Sequence, residues 1–310
     1  MDNQQILGLH HITAIAGNAK RNLDFYTRVL GLRLVKKTVN FDDPGTYHFY
    51  YGDESGTPGT LLTFFPWEGI GQGQNGTGLA THIGFSVPKG ALTYWKERLA
   101  SFGIDFAEST LFSENTISFK DPDGLQLQFI EPDGKDNRSG WASPEIKTQA
   151  RIKGFYKVTL TLQKAAATAN ILTNILGYET AEQQGQTLRL INSHTETAGV
   201  LDIIEAPGMP RGYNAAGTNH HIAFRVRNED ILMEFREKIL SAGLDITPKI
   251  NRDYFFSLYF REPGGILFEL ATDNPGFTVD EPLESLGSSL KLPEKYQGMR
   301  SKIEKALPTL

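Results

Sequence analysis

The chain contains no cysteine, which excludes disulfides, thiolate metal ligands and cysteine nucleophiles together. It has no apolar run approaching the roughly 18–20 residues of a membrane span. The opening MDNQQILGLHHITAIAG lacks a basic, apolar, small-residue signal pattern. Cytoplasm is therefore the expected compartment, with no membrane partner. Charge of one sign never forms a block: 31 Lys and Arg are interspersed with 36 Asp and Glu for a net charge of −5. Nothing resembles a surface for a phosphate backbone, so a nucleic-acid partner is not expected. Histidine is also scarce, at seven residues, so where the histidines fall carries information. The rest is ordinary globular composition, 39% hydrophobic and 22% charged over 310 residues, long enough for two domains.

Internal repetition organises the sequence. GLHHITAIAGNAKRNLDFYTRVLG, from Gly8 to Gly31, has a counterpart in GFYKVTLTLQKAAATANILTNILG, from Gly154 to Gly177, with equal spacing between the bounding glycines. Each begins with strand-like alternation, continues with apolar residues at helical spacing and stops on glycine. LATHIGFSVPKGALTYWKERLASFGI from Leu79 matches TNHHIAFRVRNEDILMEFREKILSAGL from Thr218 in the same order. Both run on into strand-turn-strand segments, ISFKDPDGLQLQF from Ile117 and LYFREPGGILFEL from Leu258. TPGTLLTFF from Thr57 and TAGVLDIIE from Thr197 complete the other two.

Four βαβββ units follow, at about 8–66, 79–131, 154–205 and 218–271, with polar EPDGKDNRSGWASPE after the second as a linker. The expected class is α+β, with two domains of two units each, 1–135 and 150–275, and a C-terminal extension, 276–310. Over roughly residues 8 to 271 the pattern resembles the vicinal oxygen chelate superfamily, which includes glyoxalases, bleomycin-resistance proteins and extradiol dioxygenases. That resemblance implies mixed, curved sheets, with paired units curling around a metal cup.

Two positions per unit would point into such a cup. The first-strand positions are His11, His82, Lys157 and His221. Those four residues beyond the last-turn glycines Gly59, Gly124, Gly199 and Gly265 are Thr63, Gln128, Ile203 and Glu269. Pairing units in sequence order leaves both cups without a good divalent-metal set. Pairing the outer units with each other assembles His11, His221 and Glu269, with Thr63 non-ligating, and leaves the inner cup with His82, Gln128, Lys157 and Ile203. Two imidazoles and one carboxylate leave adjacent positions open, a set suited to Fe(II) with a chelating substrate and O₂.

A single strand histidine is more often a satisfied core residue than a ligand. Here, however, four of the seven form doublets, His10–His11 and His220–His221, at matching strand starts, and Glu269 sits in the apolar run ILFEL, where an unpaired carboxylate is costly. His82 reads as structural, and His48 and His194 carry no signal. Alternation turns His10 and His220 away from the metal or to its edge.

GLHHITAIAG, VNFDDP, FFPW, NHHIAF, and Arg252 followed by Tyr259 resemble the hydroquinone-cleaving branch of the superfamily, nearly end to end. That branch includes dichlorohydroquinone 1,2-dioxygenases and methylhydroquinone-resistance dioxygenases. The resemblance implies His11, His221 and Glu269 as ligands of Fe(II), surrounded by Thr13, His220, Arg252 and Tyr259. It also implies a small aromatic substrate and O₂ as partners, in a monomer or homo-oligomer. His220, titrating near neutrality, would act as acid and base; Arg252 and Tyr259 would stabilise anionic oxygens; Thr13 would hydrogen-bond the substrate. Phe64, Phe65, Trp67, Phe255 and Phe256 are candidate pocket aromatics. Extradiol enzymes that draw all ligands from their second half fit poorly, since Lys157 stands at the first position there. Two rival classes share the fold: a glyoxalase-type lyase or isomerase, which uses a fourth protein ligand where this chain has Thr63, and a metal-free small-molecule binding protein, which has no need of the trio.

Overall fold

The computed structural model describes residues 5–310, and the four units lie where the repeats place them. The first comprises β1 (Leu9–Ala16), α1 (Ala19–Asp24), β2 (Arg33–Val39), β3 (Tyr47–Gly52) and β4 (Leu61–Pro66). The second comprises β5 (Leu79–Ser86), α2 (Leu92–Ser101), β6 (Phe106–Leu111), β7 (Glu114–Lys120) and β8 (Gln126–Ile130). The third comprises β9 (Gly154–Leu162), α3 (Ala166–Asn174), β10 (Glu179–Gln184), β11 (Thr187–Ile191) and β12 (Val200–Glu205). The fourth comprises β13 (Thr218–Val226), α4 (Glu229–Ser241), β14 (Ile250–Asn251), β15 (Phe255–Arg261) and β16 (Leu267–Pro275). No helix among the described residues is long and apolar enough to cross a membrane.

The units pair crosswise. One eight-stranded sheet has the order β14-β15-β16-β13-β1-β4-β3-β2 and the other β10-β11-β12-β9-β5-β8-β7-β6. Each sheet thus takes one outer and one outer unit, or one inner and one inner unit, and joins them through their antiparallel first strands. Every residue of β1 is buried because both faces are covered. Leu9, Ile12 and Ala14 enter the large apolar core, while His11 and Thr13 face the cup. On α4, Ile231, Leu232, Phe235 and Ile239 form the buried stripe, and Asn228 caps its first turn by accepting from the Ile231 N–H at 3.1 Å.

The C-terminal extension is part of the outer cup. Its Phe277 and Leu286 pack with Val35, Tyr50, Tyr254 and Phe255 in a separate apolar cluster that fills one end of it. The fully buried Lys36 ammonium bonds Asp280 at 2.5 Å and Glu281 at 2.6 Å. Beyond them Leu290 pairs with Lys37 and covers the edge of β2. Lys295 and Tyr296 both donate to the Phe41 carbonyl, at 2.7 and 2.8 Å, which ties down the loop between β2 and β3. α5 (Arg300–Ala306) ends the fold.

Candidate metal centre and its cavity

His11 on β1, His221 on β13 and Glu269 on β16 converge at the middle of the outer sheet, as the crosswise pairing requires. The His11 and His221 Nε2 atoms lie 3.1 and 2.9 Å from Glu269 Oε2 and 3.4 Å from each other. All three residues are buried, Glu269 completely. Among the described residues this is the one group of three such side chains placed to hold a metal ion.

Bulges put both histidine doublets to use. In the β1–β13 ladder Leu9 pairs with Phe224 but His11 with Ala223, and Thr13 pairs with His221 but Ala14 with Asn219. His10 and His220 are therefore each an extra residue inserted just before a ligand position. A bulge re-aims side chains away from strict alternation. As a result each extra histidine lies edge-on to its neighbour, with Nδ1–Nδ1 distances of 3.0 Å for His10 and His11 and 2.8 Å for His220 and His221. The same bulge recurs at Thr81 before His82 and at Tyr156 before Lys157 in the other sheet.

The His10 pair defines its protons. The Thr272 carbonyl, 3.1 Å from His10 Nε2, can only accept, so His10 carries its proton on Nε2 and its Nδ1 is an acceptor. Burial, then the adjacent His11, hold His10 well below its ordinary pKa and keep it neutral. His11 must then donate from Nδ1, and its Nε2 lone pair faces Glu269. The second pair can take the same arrangement, with the shared proton on His221 and a lone pair on its Nε2. Glu269 Oε1 accepts from the Ser257 hydroxyl, whereas Oε2 has no aligned donor despite its two short contacts. Burial works to raise the Glu269 carboxyl, and positive charge on the imidazoles against it outweighs that, so an ionised Glu269 needs a cation in this cluster, either imidazolium protons or a metal ion. Three buried acceptor atoms facing one another without a proton fit a cation.

A cavity of about 360 Å³ opens over this cluster, small for a ligand pocket and sized for a single ring. All the expected surrounding residues line it: Thr13, His220, Arg252 and Tyr259. Arg252 Nε donates to the Tyr259 hydroxyl at 3.2 Å, and Asp42 lies 3.6 Å from the guanidinium. Burial pushes the Tyr259 phenol well above its ordinary value, and Glu269 adds to this, so it stays a proton donor. Of the candidate aromatics, Phe65, Trp67 and Phe255 line the cavity. Phe64 instead belongs to the main core, and Phe256 lies beneath the Lys249 ammonium.

Three expectations need correction. His220 is not poised near neutrality: burial, with His221 beside it, pushes it down to about 3. His48, which carried no sequence signal, lines the cavity and is hydrogen-bonded on both ring nitrogens, to Thr63 at 3.0 Å and to Tyr50 at 2.9 Å. The two-residue step from His48 to Tyr50 on a strand was the available signal, since it sets both on one face. The inner cup also contains a carboxylate. In the third unit the positive-φ turn residue is Ala198 (φ 55°) rather than Gly199, so counting from the glycine slipped by one. Asp202, opposite Thr159, is the equivalent of Glu269, which lies opposite Ala223. Ile203 belongs to the core.

The inner cup is nonetheless closed to metal. Lys157 sits 2.6 Å from Asp202, Arg189 binds the same carboxylate at 2.8 and 3.0 Å, and Arg189 also pairs with Glu114 at 2.8 Å. Four charges of balanced sign occupy that space. Burial and Lys157 push His82 down to about 4, consistent with a neutral structural histidine.

A family model described as the Glyoxalase/Bleomycin resistance protein/Dioxygenase superfamily matches residues 8–129 and 154–270. MhqE of Bacillus subtilis (strain 168), provisionally named a ring-cleaving dioxygenase, is 47% identical over 303 residues, covering 98% of this chain and 99% of that protein. The chlorohydroquinone/hydroquinone 1,2-dioxygenase of Sphingobium indicum is 33% identical over 307 residues, covering 97% and 95%. A crystal structure of a Bacillus subtilis protein, described provisionally as a dioxygenase, superposes with a TM-score of 0.95 at 43% identity, covering 99% of this chain and 98% of that one.

Proposed function

The chain belongs to the glyoxalase/bleomycin resistance protein/dioxygenase superfamily, and from that premise we propose that it is an Fe(II)-dependent dioxygenase that cleaves a hydroquinone-type ring with both atoms of O₂, with His11, His221 and Glu269 as the metal ligands. The observation that carries this reading is the cluster of two buried imidazoles and one buried carboxylate beneath a one-ring cavity. Two imidazoles and a carboxylate suit Fe(II), which when bound supplies redox contact between an electron-rich ring and O₂.

The protein's own groups bind and orient the ring. Phe65, Trp67 and Phe255 supply apolar walls that exclude water. Arg252 and the Tyr259 hydroxyl, coupled to each other, offer donors to a ring oxygen carrying negative charge. His220 has Nδ1 engaged by His221, so it keeps its own proton on Nε2 and offers a further donor to a molecule in the cavity. Its role in this reading is therefore to donate a hydrogen bond from that atom to a ring or dioxygen oxygen. Thr63, at the fourth cup position, spends its hydroxyl on His48 and Thr13, which favours this reading over a lyase with a fourth protein ligand.

The test is anaerobic loading with Fe(II), then oxygen-electrode measurements with hydroquinone, methylhydroquinone, chlorohydroquinone and catechol. Stoichiometric O₂ uptake with loss of ring absorbance is expected for the hydroquinones. Iron-loaded protein that consumes no O₂ with any of the four overturns the proposal.

A further inference from the structure

We propose that the C-terminal extension is a clamp behind the two loops at the cavity mouth, and that through Phe41 it limits the size of the substituent a bound ring can carry. This rests on the reading that the cavity receives a single ring. It makes Phe41 a specificity-determining residue, and Lys295 and Tyr296 positioning residues that act through it.

The mouth is built from corresponding loops of the two outer units. Asn40, Phe41 and Asp42, between β2 and β3, line one side, and Arg252, between β14 and β15, lines the other. Across the gap the Arg252 guanidinium lies 5.9 Å from the centre of the Phe41 ring and 3.6 Å from Asp42. The Asp42 side chain is 79% exposed, which marks this as the solvent end of the cavity. Phe41, beside it on the same loop, is only 8% exposed and forms part of the wall.

The extension holds both loops from the side away from the cavity. Lys295 Nζ, at 2.7 Å, and Tyr296 Oη, at 2.8 Å, together take both lone pairs of the Phe41 carbonyl. In the facing loop the Tyr254 hydroxyl donates to Asp280 Oδ2 at 3.0 Å, and the Tyr254 carbonyl accepts from the Gly276 N–H at 2.9 Å. The bonds inside the β2–β3 loop close its base, where the Asn40 N–H meets the Thr46 carbonyl at 2.8 Å, and its far side, where the Trp67 indole meets Asp43 at 2.9 Å. The carbonyl that orients Phe41 is held by the extension. One continuous segment therefore sets the gap between Phe41 and Arg252. A ring with an oxygen turned towards His11, His221 and Glu269 carries its substituents towards these walls. A loop free at the surface yields to a larger group, whereas one pinned from behind does not.

The test is calorimetric binding of methylhydroquinone and tert-butylhydroquinone to the Fe(II)-loaded protein under argon. The wild type should bind the methyl ring at least about tenfold more tightly, the scale on which a fitted apolar pocket rejects added methyl groups. Phe41→Ala should move that ratio by about tenfold or more in favour of the larger ring. The double variant Lys295→Met, Tyr296→Phe leaves every cavity-lining side chain in place, yet should move the ratio the same way by about three- to tenfold, the scale of the lost hydrogen bonds. Lys295→Arg, which keeps a donor, should retain the wild-type ratio. A variant that merely loosens the fold weakens both rings alike, so the ratio reports the wall and not stability. An unmoved ratio in Phe41→Ala or in the double variant overturns the proposal. So does Lys295→Arg behaving like the double variant, or a wild type that binds the two rings equally or binds neither. No O₂ is present: a ratio that shifts in a protein without O₂ uptake refutes the dioxygenase reading alone, and O₂ uptake with an unmoved ratio refutes the clamp alone.

Discussion

Replacing His10 by leucine removes a residue that touches no ligand-forming atom, yet it should weaken metal binding. His10 accepts the Nδ1 proton of His11 and is itself held by the Thr272 carbonyl. Without it, the His11 N–H is buried and unpaired, a cost of about 1–3 kcal/mol, and His11 is free to take the tautomer whose Nε2 carries a proton. Loss of such an orienting partner typically lowers metal affinity by about 10- to 100-fold. An unfolding entropy of about 2.1 cal/mol/K per residue gives roughly 0.65 kcal/mol/K for this 310-residue chain. Free metal at about 1,000 times Kd stabilises the wild type by about 4.1 kcal/mol, or roughly 6 °C. At the same metal concentration, a variant 100-fold weaker gains about 1.4 kcal/mol, roughly 2 °C. The metal-free variant should itself melt roughly 2–5 °C below the metal-free wild type. Thermal melts with and without metal, supported by a chelator-competition titration, measure both quantities. An undiminished metal increment in His10→Leu refutes the proton assignment, since the imidazole pair would then not be what directs the His11 lone pair.

Other perturbations separate the two cups. Glu269→Gln, His11→Ala or His221→Ala should abolish metal retention and ring-cleaving activity while circular dichroism stays native; a variant of the three with full metal content rejects the ligand set. Asp202→Asn in the inner cup leaves Lys157 buried without its anion, and should lower the melting temperature by roughly 5–8 °C at a cost of about 3–5 kcal/mol. Its metal content, like that of His82→Gln, should be unchanged, and metal loss in either would show that the inner cup contributes. Burial, with Asp123 nearby, pushes the Asp121 carboxyl up to about 7 from 3.8. Between those values the folded chain keeps a proton that the unfolded chain has released, so stability is full at low pH and drains away as pH rises towards 7. Asp121→Asn, whose oxygen can still accept from the Asp123 and Leu125 N–H groups, should flatten that slope between pH 4 and 7. Parallel melting-temperature profiles for the two proteins would refute the raised carboxyl.

The parts of this site legible in the sequence are those written as local pattern. Four repeats of strand, helix and three strands give the architecture, because hydrophobic periodicity and glycine stops are properties of neighbouring residues. Glu269 in ILFEL and the two histidine doublets pointed to the outer units as the pair that completes a cup, and the sheets do pair crosswise, although that inference overlooked the Asp202 carboxylate. What the pattern does not hold is register and proton direction. The bulges at His10 and His220 depend on how β1 and β13 slide against each other, so strict alternation misplaces both side chains. Asp202 was hidden because the turn before β12 puts its left-handed residue on Ala198, and glycine marks such a turn only when it occupies that position. His48 is an ordinary strand residue until β4 brings Thr63, itself bonded to Thr13 of β1, against its Nε2. The tail after residue 275 has no repeat to read, and its place in the cup rests on the apolar packing of Phe277 and Leu286 and on a buried lysine on β2 that Asp280 and Glu281 neutralise. These are contacts between strands distant in sequence, where the free energy of burying a polar atom, not any local propensity, selects the partner.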